Sequence, residues 1–201
     1  MKKLLSILIV LYFLVTNIAC TKRDTSESPD TIKDSTNKTV AYIIKKGGHD
    51  CQPDSLAFTS NDQIKFTAIF DSSCIYQTVD PHNQNDINKL YGFSDCNSTH
   101  LENSARIGWR WSKDSLRLFG FVHNNREMIS HEITTAAINS VIICSIICLD
   151  IQYEFNVNGK TLLLPRNCSG NFARYKLYPY FGGDEVAPHD IKIKISELRS
   201  Q

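Results

Sequence analysis

Ile151-Gln152-Tyr153-Glu154-Phe155-Asn156-Val157-Asn158-Gly159-Lys160-Thr161-Leu162-Leu163-Leu164 is the stretch whose reading decides the fold. Ile151, Tyr153, Phe155 and Val157 alternate with Gln152, Glu154 and Asn156, so in an extended chain the apolar side chains all fall on one face. Asn158-Gly159 then supplies two residues that accept positive φ, and an apolar run returns from Thr161 to Leu164. Together these make a β-hairpin signature.

The same period of two recurs on either side. In Gln63 to Phe70, Ile64, Phe66, Ala68 and Phe70 share a face, and near the C-terminus Ile191, Ile193 and Ile195 alternate with Lys192, Lys194 and Ser196. Val141 to Leu149 is apolar at both parities, which suits a central strand covered on both faces or a helix; its β-branched content favours the strand. A membrane span is excluded there, because Ala136 to Leu149 is too short and is interrupted by Asn139 and Ser140. No strong amphipathic helix competes, and Asn85 to Leu90 allows one short helical turn. About ten short strands broken by Gly, Pro, Asn and Asp predict an all-β, antiparallel jelly-roll β-sandwich over residues 40–201.

The chain before residue 40 reads differently. Lys2 and Lys3 precede an apolar run from Leu4 to Val15, and Thr16 to Ala19 lead to Cys20, giving a charged region, a hydrophobic region and a cleavage site over residues 1–19. Twelve residues of helix span about 18 Å, well short of the roughly 30 Å hydrocarbon core, so the run is expected to be cleaved. Asn17-Ile18-Ala19-Cys20 resembles the lipobox of bacterial lipoproteins, with Asn17 in place of the usual leucine, which makes Cys20 the lipidation site; the alternative is an ordinary secretory signal. Two or three acyl chains, at about 0.8 kcal/mol per buried methylene, hold a protein durably on a membrane. Residues 20–39 then hold one aliphatic side chain, Ile32, among polar residues and predict a disordered tether.

Charge and cysteine usage fit an exported domain. The chain carries 22 Lys and Arg against 21 Asp and Glu. Removing residues 1–19 takes away two lysines and leaves a balance of −1, which argues against nucleic acid as a partner. With Cys20 committed to lipid, Cys51, Cys74, Cys96, Cys144, Cys148 and Cys168 remain. An even number in an exported protein makes all six disulfide candidates, in fifteen possible pairings, although Cys144 and Cys148 also suit buried thiols.

Several stretches carry a resemblance. Asp80-Pro81, Asn85 to Cys96, Asn103 to Trp111, Leu164 to Arg166, Tyr175 to Gly183 and Ala187 to Asp190 are similar to a family of uncharacterised Bacteroidetes lipoproteins, whose domain resembles the concanavalin A-like sandwiches. That resemblance implies a concanavalin A-like form of the jelly roll and an outer-membrane location, facing the periplasm or the surface. It implies no activity, since fold alone licenses none.

Catalytic patterns are weak. The Glu-x-Asp-x-x-Glu strand of jelly-roll glycosidases is absent, and Glu127, His131 and Glu132 form the nearest cluster, with His131 and Glu132 on opposite faces of any strand. Gln63-Ile64-Lys65 lacks the histidine of a lyase Gln-x-His strand. Asp80, Asn83, Asn85, Asp86 and Asp95, with Asp184, Glu185 and Asp190, are oxygen-rich enough to suggest calcium but lack a regular ligand spacing; no other cofactor is expected. For ligand binding the candidates are Arg106 and Arg110 on one parity of a strand, Trp109 and Trp111 on the other, and Tyr178 and Tyr180 beside Gly182-Gly183. The arginines suit a fork for an acidic sugar and the rings a stacking platform, while core tryptophans, solvated arginines and tyrosines closing the end of the sandwich are the plainer reading. The expectation is a non-catalytic envelope lipoprotein whose domain binds a glycan or serves as a structural module. A divergent polysaccharide lyase or hydrolase, or an assembly subunit of an envelope complex, are the alternatives.

Overall fold

Alternation along the quoted hairpin becomes two paired strands. Tyr153, Phe155 and Val157 are buried while Asn158 and Gly159 take φ of 50° and 84° in the turn. A computed structural model describes residues 38–198; the leader, Cys20 and the tether to residue 37 lie outside the described residues. Two antiparallel sheets form a jelly-roll β-sandwich. In edge-to-edge order the seven-stranded sheet holds β11 (Lys160–Pro165), β10 (Gln152–Val157), β9 (Ile142–Cys148), β4 (Gln63–Phe70), β13 (Ile191–Glu197), β1 (Thr39–Ile44) and β2 (Cys51–Gln52). The six-stranded sheet holds β3 (Phe58–Thr59), β12 (Arg174–Leu177), β5 (Asn88–Ser94), β6 (Asn103–Ser112), β7 (Ser115–Asn124) and β8 (Glu127–Ala136). Among the described residues there is no α-helix, only 3₁₀ turns at Ser72–Cys74 and Pro81–Asn85. The helical turn expected over Asn85 to Leu90 therefore sits one step earlier, started by Pro81 and the Asp80 cap, and Asn88 onward is strand.

The core lies between the sheets, where period-two residues of both meet. Ile64, Phe66, Ala68 and Phe70 from β4, and Ile191, Ile193 and Ile195 from β13, face Leu90, Phe93, Ile107 and Trp109. On β9 the strand reading holds but the double cover does not. Ile142, Cys144 and Ile146 enter the core, whereas Ile143 is 46 % exposed on the outer face.

One end of the sandwich is tied by a buried ion cluster. Asp95, just past β5, accepts from Arg166 Nε at 2.7 Å, from Arg174 Nε at 2.9 Å and from the Tyr153 hydroxyl at 2.9 Å. The adjacent Cys96 is bonded to Cys168, closing a separation of 72 residues. The cluster and the bond bear on two readings of the sequence. Only one disulfide forms among the described cysteines, because Cys51, Cys74 and Cys144 are buried as thiols apart from one another and Cys148 is half-buried and free. Asp95 is also closed to calcium, since both its oxygens are taken by arginines.

Candidate functional site

The outer face of the six-stranded sheet follows from the parity of β6. Ala105, Ile107 and Trp109 point into the core, so Ser104, Arg106, Gly108 and Arg110 face outward. On β7 Leu116, Leu118 and Val122 enter the core, so the alternation turns Phe119, Phe121 and His123 outward as well, opposite Gly108, Arg106 and Ser104. On β5 Lys89 pairs with Gly108, and Gly92 pairs with Arg106. A Cβ at Gly92 would stand 2.0 Å from the Ala105 carbonyl oxygen, so only glycine lets β5 approach β6 this closely.

Cations and rings gather on that face. Phe121 lies beneath two cations, with Lys89 Nζ 4.7 Å and Arg106 Cζ 5.4 Å from its centroid, while Arg110 lies 4.9 Å over Phe119. The Arg106 side chain is nearly closed to solvent and its Nε has no hydrogen-bond partner. Its Nη2 lies 3.5 Å from His123 Nδ1, which the Ser104 hydroxyl also approaches at 3.3 Å. Among the described residues neither Arg106 nor Lys89 forms an ion pair.

The surroundings hold these groups in defined charge states. Burial, and then the Arg106 charge, pull the Lys89 ammonium down to about 8. Burial followed by the charges of Arg106 and Lys89 brings the His123 imidazole to about 4, leaving it neutral and able to accept through Nδ1. His100 is lowered in the same direction by burial and Arg106.

A cavity of about 190 Å³ opens over Arg106. His100, Leu177, Pro179 and Tyr180 line it, together with Lys176 and the carboxylates of Asp50 and Asp54. Tyr175 donates nothing to the core. Its hydroxyl accepts from the His100 backbone N–H at 2.7 Å and lies 3.1 Å from His100 Nδ1. Tyr180 is fixed by reciprocal backbone bonds to Lys89 at 2.9 Å and stacks on His49 at a centroid distance of 5.3 Å.

The structure therefore divides the sequence-derived candidates. Arg106 and Tyr180 meet at the cavity. Arg110 shares the face, but its Nη1 donates to the Asn85 carbonyl at 2.6 Å and ties down the loop before β5. Trp109 is fully buried between Phe70 and Tyr76, so it is no stacking platform. Trp111 packs partly on the core and lines a different cavity, of about 540 Å³, with Tyr76 and His189. Tyr178 borders the Arg106 cavity yet packs its ring on Tyr42 and Tyr91, 5.7 Å from each, as a closing residue does. Glu127, His131 and Glu132 do not converge, and Glu132 pairs with Arg117 at 2.9 Å.

Lys89, His100, Phe119, Phe121 and His123 were not found from sequence. One signal was present: Leu116-Arg117-Leu118-Phe119-Gly120-Phe121-Val122 is apolar at both parities, which marks a strand with aliphatic residues on one face and the rings Phe119 and Phe121 on the other.

No family model matches the chain, and no curated protein matches it in sequence. Among solved structures the fold is similar to the alginate lyase AlyC3, at 9 % identity over 82 % of this chain and 75 % of that one, with a TM-score of 0.54. It is likewise similar to a Bacteroides ovatus mixed linkage glucan PUL GH16 protein in complex with product, at 8 % identity over 83 % of each chain and a TM-score of 0.53. Against SCLam, a non-specific endo-beta-1,3(4)-glucanase from family GH16, identity is 11 % and TM-score 0.47 over 70 % of this chain; the chain spans 57 % of that protein's length. The two sheets and the first two likenesses make the fold class a concanavalin-like jelly-roll sandwich. At such identities the likeness concerns fold alone.

Proposed function

We propose that this protein is a cell-envelope lipoprotein of the Bacteroidetes type, held to the outer membrane through lipid on Cys20, whose sandwich domain binds a glycan on the outer face of the six-stranded sheet without cleaving it. The observation that carries the reading is the cavity lined by the buried Arg106 guanidinium, beside which the half-buried Lys89 ammonium lies on the same Phe121 ring, with neither cation paired to a carboxylate. Amphipathic rings beside fixed polar groups are what a sugar needs, since its C–H faces stack and its hydroxyls bond.

The direct test is affinity electrophoresis of the full chain through gels containing a panel of polysaccharides, with reducing ends and unsaturated products measured in parallel. Retardation by at least one polysaccharide without new products is expected. No retardation by any member, or retardation unchanged when the Arg106 face is altered, overturns the reading.

A second reading, polysaccharide lyase, is favoured by one observation. The Tyr175 hydroxyl lies 3.1 Å from His100 Nδ1 beside Arg106, and eliminative cleavage needs a cation opposite a carboxylate together with a group that moves a proton. Unsaturated product that disappears in Tyr175→Phe would establish it.

A further inference from the structure

We infer that the cavity lined by Arg106, with Lys89 beside it on the same Phe121 ring, is a subsite for an anionic substituent, a carboxylate or a sulfate ester, so that the glycan taken by this domain is acidic. This rests on the reading of the face as glycan-binding and names the chemistry of its ligand.

The other buried arginines of this chain are compensated. Arg166 and Arg174 are as deeply closed as Arg106 and, although Arg174 Nη2 has no partner, both pair with the Asp95 carboxylate, with main-chain carbonyls taking further N–H groups. That is the normal state of a buried guanidinium, because an unpaired buried charge costs several kcal/mol. Arg106 departs from it. Only 5 % of the residue is exposed, its Nε has no partner, and its one polar neighbour is the neutral imidazole of His123 at the limit of bonding distance.

Lys89 deepens the imbalance. Its ammonium sits on the same ring as the guanidinium, so two like charges adjoin in a partly dry site. Asp86 acts on Lys89 from a distance, and Asp50 and Asp54 line the cavity, yet none is within ion-pair reach of either cation. Phe121 contributes a cation–π interaction worth about 0.5–2 kcal/mol, well below the repulsion and desolvation it accompanies. An arrangement that is unfavourable when empty becomes favourable once an anion enters between the cations.

The geometry also selects the ligand. Arg106 brings a fixed positive charge to the wall of the cavity, which suits a carboxylate or sulfate oxygen, and Lys89 adds a point charge on the adjoining strand, while Arg106 Nε itself is closed to solvent. The cavity holds about 190 Å³, the size of one sugar unit rather than a long chain, and Tyr180 and His100 stand where ring contacts and hydroxyl bonds are needed.

The test compares retention of the full chain by a polyuronate, a sulfated galactan and a neutral β-glucan at matched low ionic strength, for the wild type, Arg106→Gln and Lys89→Met, with a thermal melt of each variant. Expected is retention by an acidic polymer that weakens with added salt and falls about tenfold in each variant. Retention by the polyuronate alone assigns a carboxylate, and by the sulfated galactan alone a sulfate ester. Should Arg106→Gln fail to fold, the half-exposed Lys89→Met carries the result. Equal retention by the neutral glucan, indifferent to both variants, overturns the acidic subsite and leaves glycan binding standing; no retention by any polymer overturns both.

Discussion

Arg174 Nε meets the Asp95 carboxylate at 2.9 Å with both side chains wholly closed to solvent. Arg166 takes the other oxygen at 2.7 Å, so one carboxylate holds the end of β12 and the segment after β11 to the end of β5. Two cations around one anion make the cluster depend on that anion. Asp95→Asn leaves two buried guanidiniums short of a counter-charge and is expected to cost about 3–5 kcal/mol. The urea midpoint measures it, and a loss below about 1 kcal/mol would show that the cluster does not hold this end together.

The same carboxylate sets an acid limit. Burial alone would raise its pKa; hydrogen bonds from Arg166, the Cys96 backbone N–H and Tyr153, with the charge of Arg174, hold it below the ordinary value. A carboxylate with a lowered folded pKa stabilises fully above its unfolded value of about 4, and that contribution is lost as pH falls through the folded value. Stability should therefore drop steeply below about pH 4 in the wild type and more gently in Asp95→Asn. Parallel curves would remove Asp95 from the explanation.

Lys89 predicts the opposite end of the scale. Its ammonium titrates near 8 because burial and Arg106 press on it, with Asp86 in partial opposition and His123 neutral. Capture of an acidic glycan should weaken as pH rises through about 8, and Lys89→Arg should carry retention to higher pH. Retention flat from about pH 7 to 9.5 in the wild type would exclude Lys89 from the ligand.

Cysteine chemistry is predicted to be sharply uneven. Burial lifts the Cys51 and Cys148 thiols to about 12 and those of Cys74 and Cys144 further, so all four react slowly with alkylating agents in the native state. Half-buried Cys148 should label first. Peptide mapping should recover Cys96 joined to Cys168, and the double serine variant should lose about 4 kcal/mol for a loop of that length. Rapid labelling of Cys144 would contradict its place in the core.

The two tryptophans should behave as core residues and not as ligands. Trp109→Ala is expected to lose about 3–5 kcal/mol by emptying a site packed on Phe70 and Tyr76. Trp111→Phe should leave glycan retention unchanged, since Trp111 lines another cavity. A loss of retention in Trp111→Phe at unchanged stability would return the indole to the binding face.

Period-two alternation made β4, β10 and β13 readable residue by residue, because one face of each strand is dry and the other wet, and the pleat converts that difference into a sequence pattern. The Asn158-Gly159 turn was equally legible, since positive φ restricts which residues can stand there. The parity of β6 also correctly set Arg106 and Arg110 against Trp109 and Trp111. Parity says that two groups oppose each other; it does not say which side is the core. The seven-stranded sheet settles that by covering the indoles and leaving the arginines outside.

Local residue order thus determined the strands, the hairpin and the all-β class, all of which depend on neighbours along the chain. Only the tertiary structure decided that Asp95 belongs to Arg166 and Arg174, that Cys96 reaches Cys168, and that Lys89, Arg106 and His123 share one ring-floored face. Each of these joins residues on different strands. Charge compensation and burial are properties of spatial neighbours, and in a sandwich those neighbours are set by sheet order and register, which the chain does not carry in any one segment.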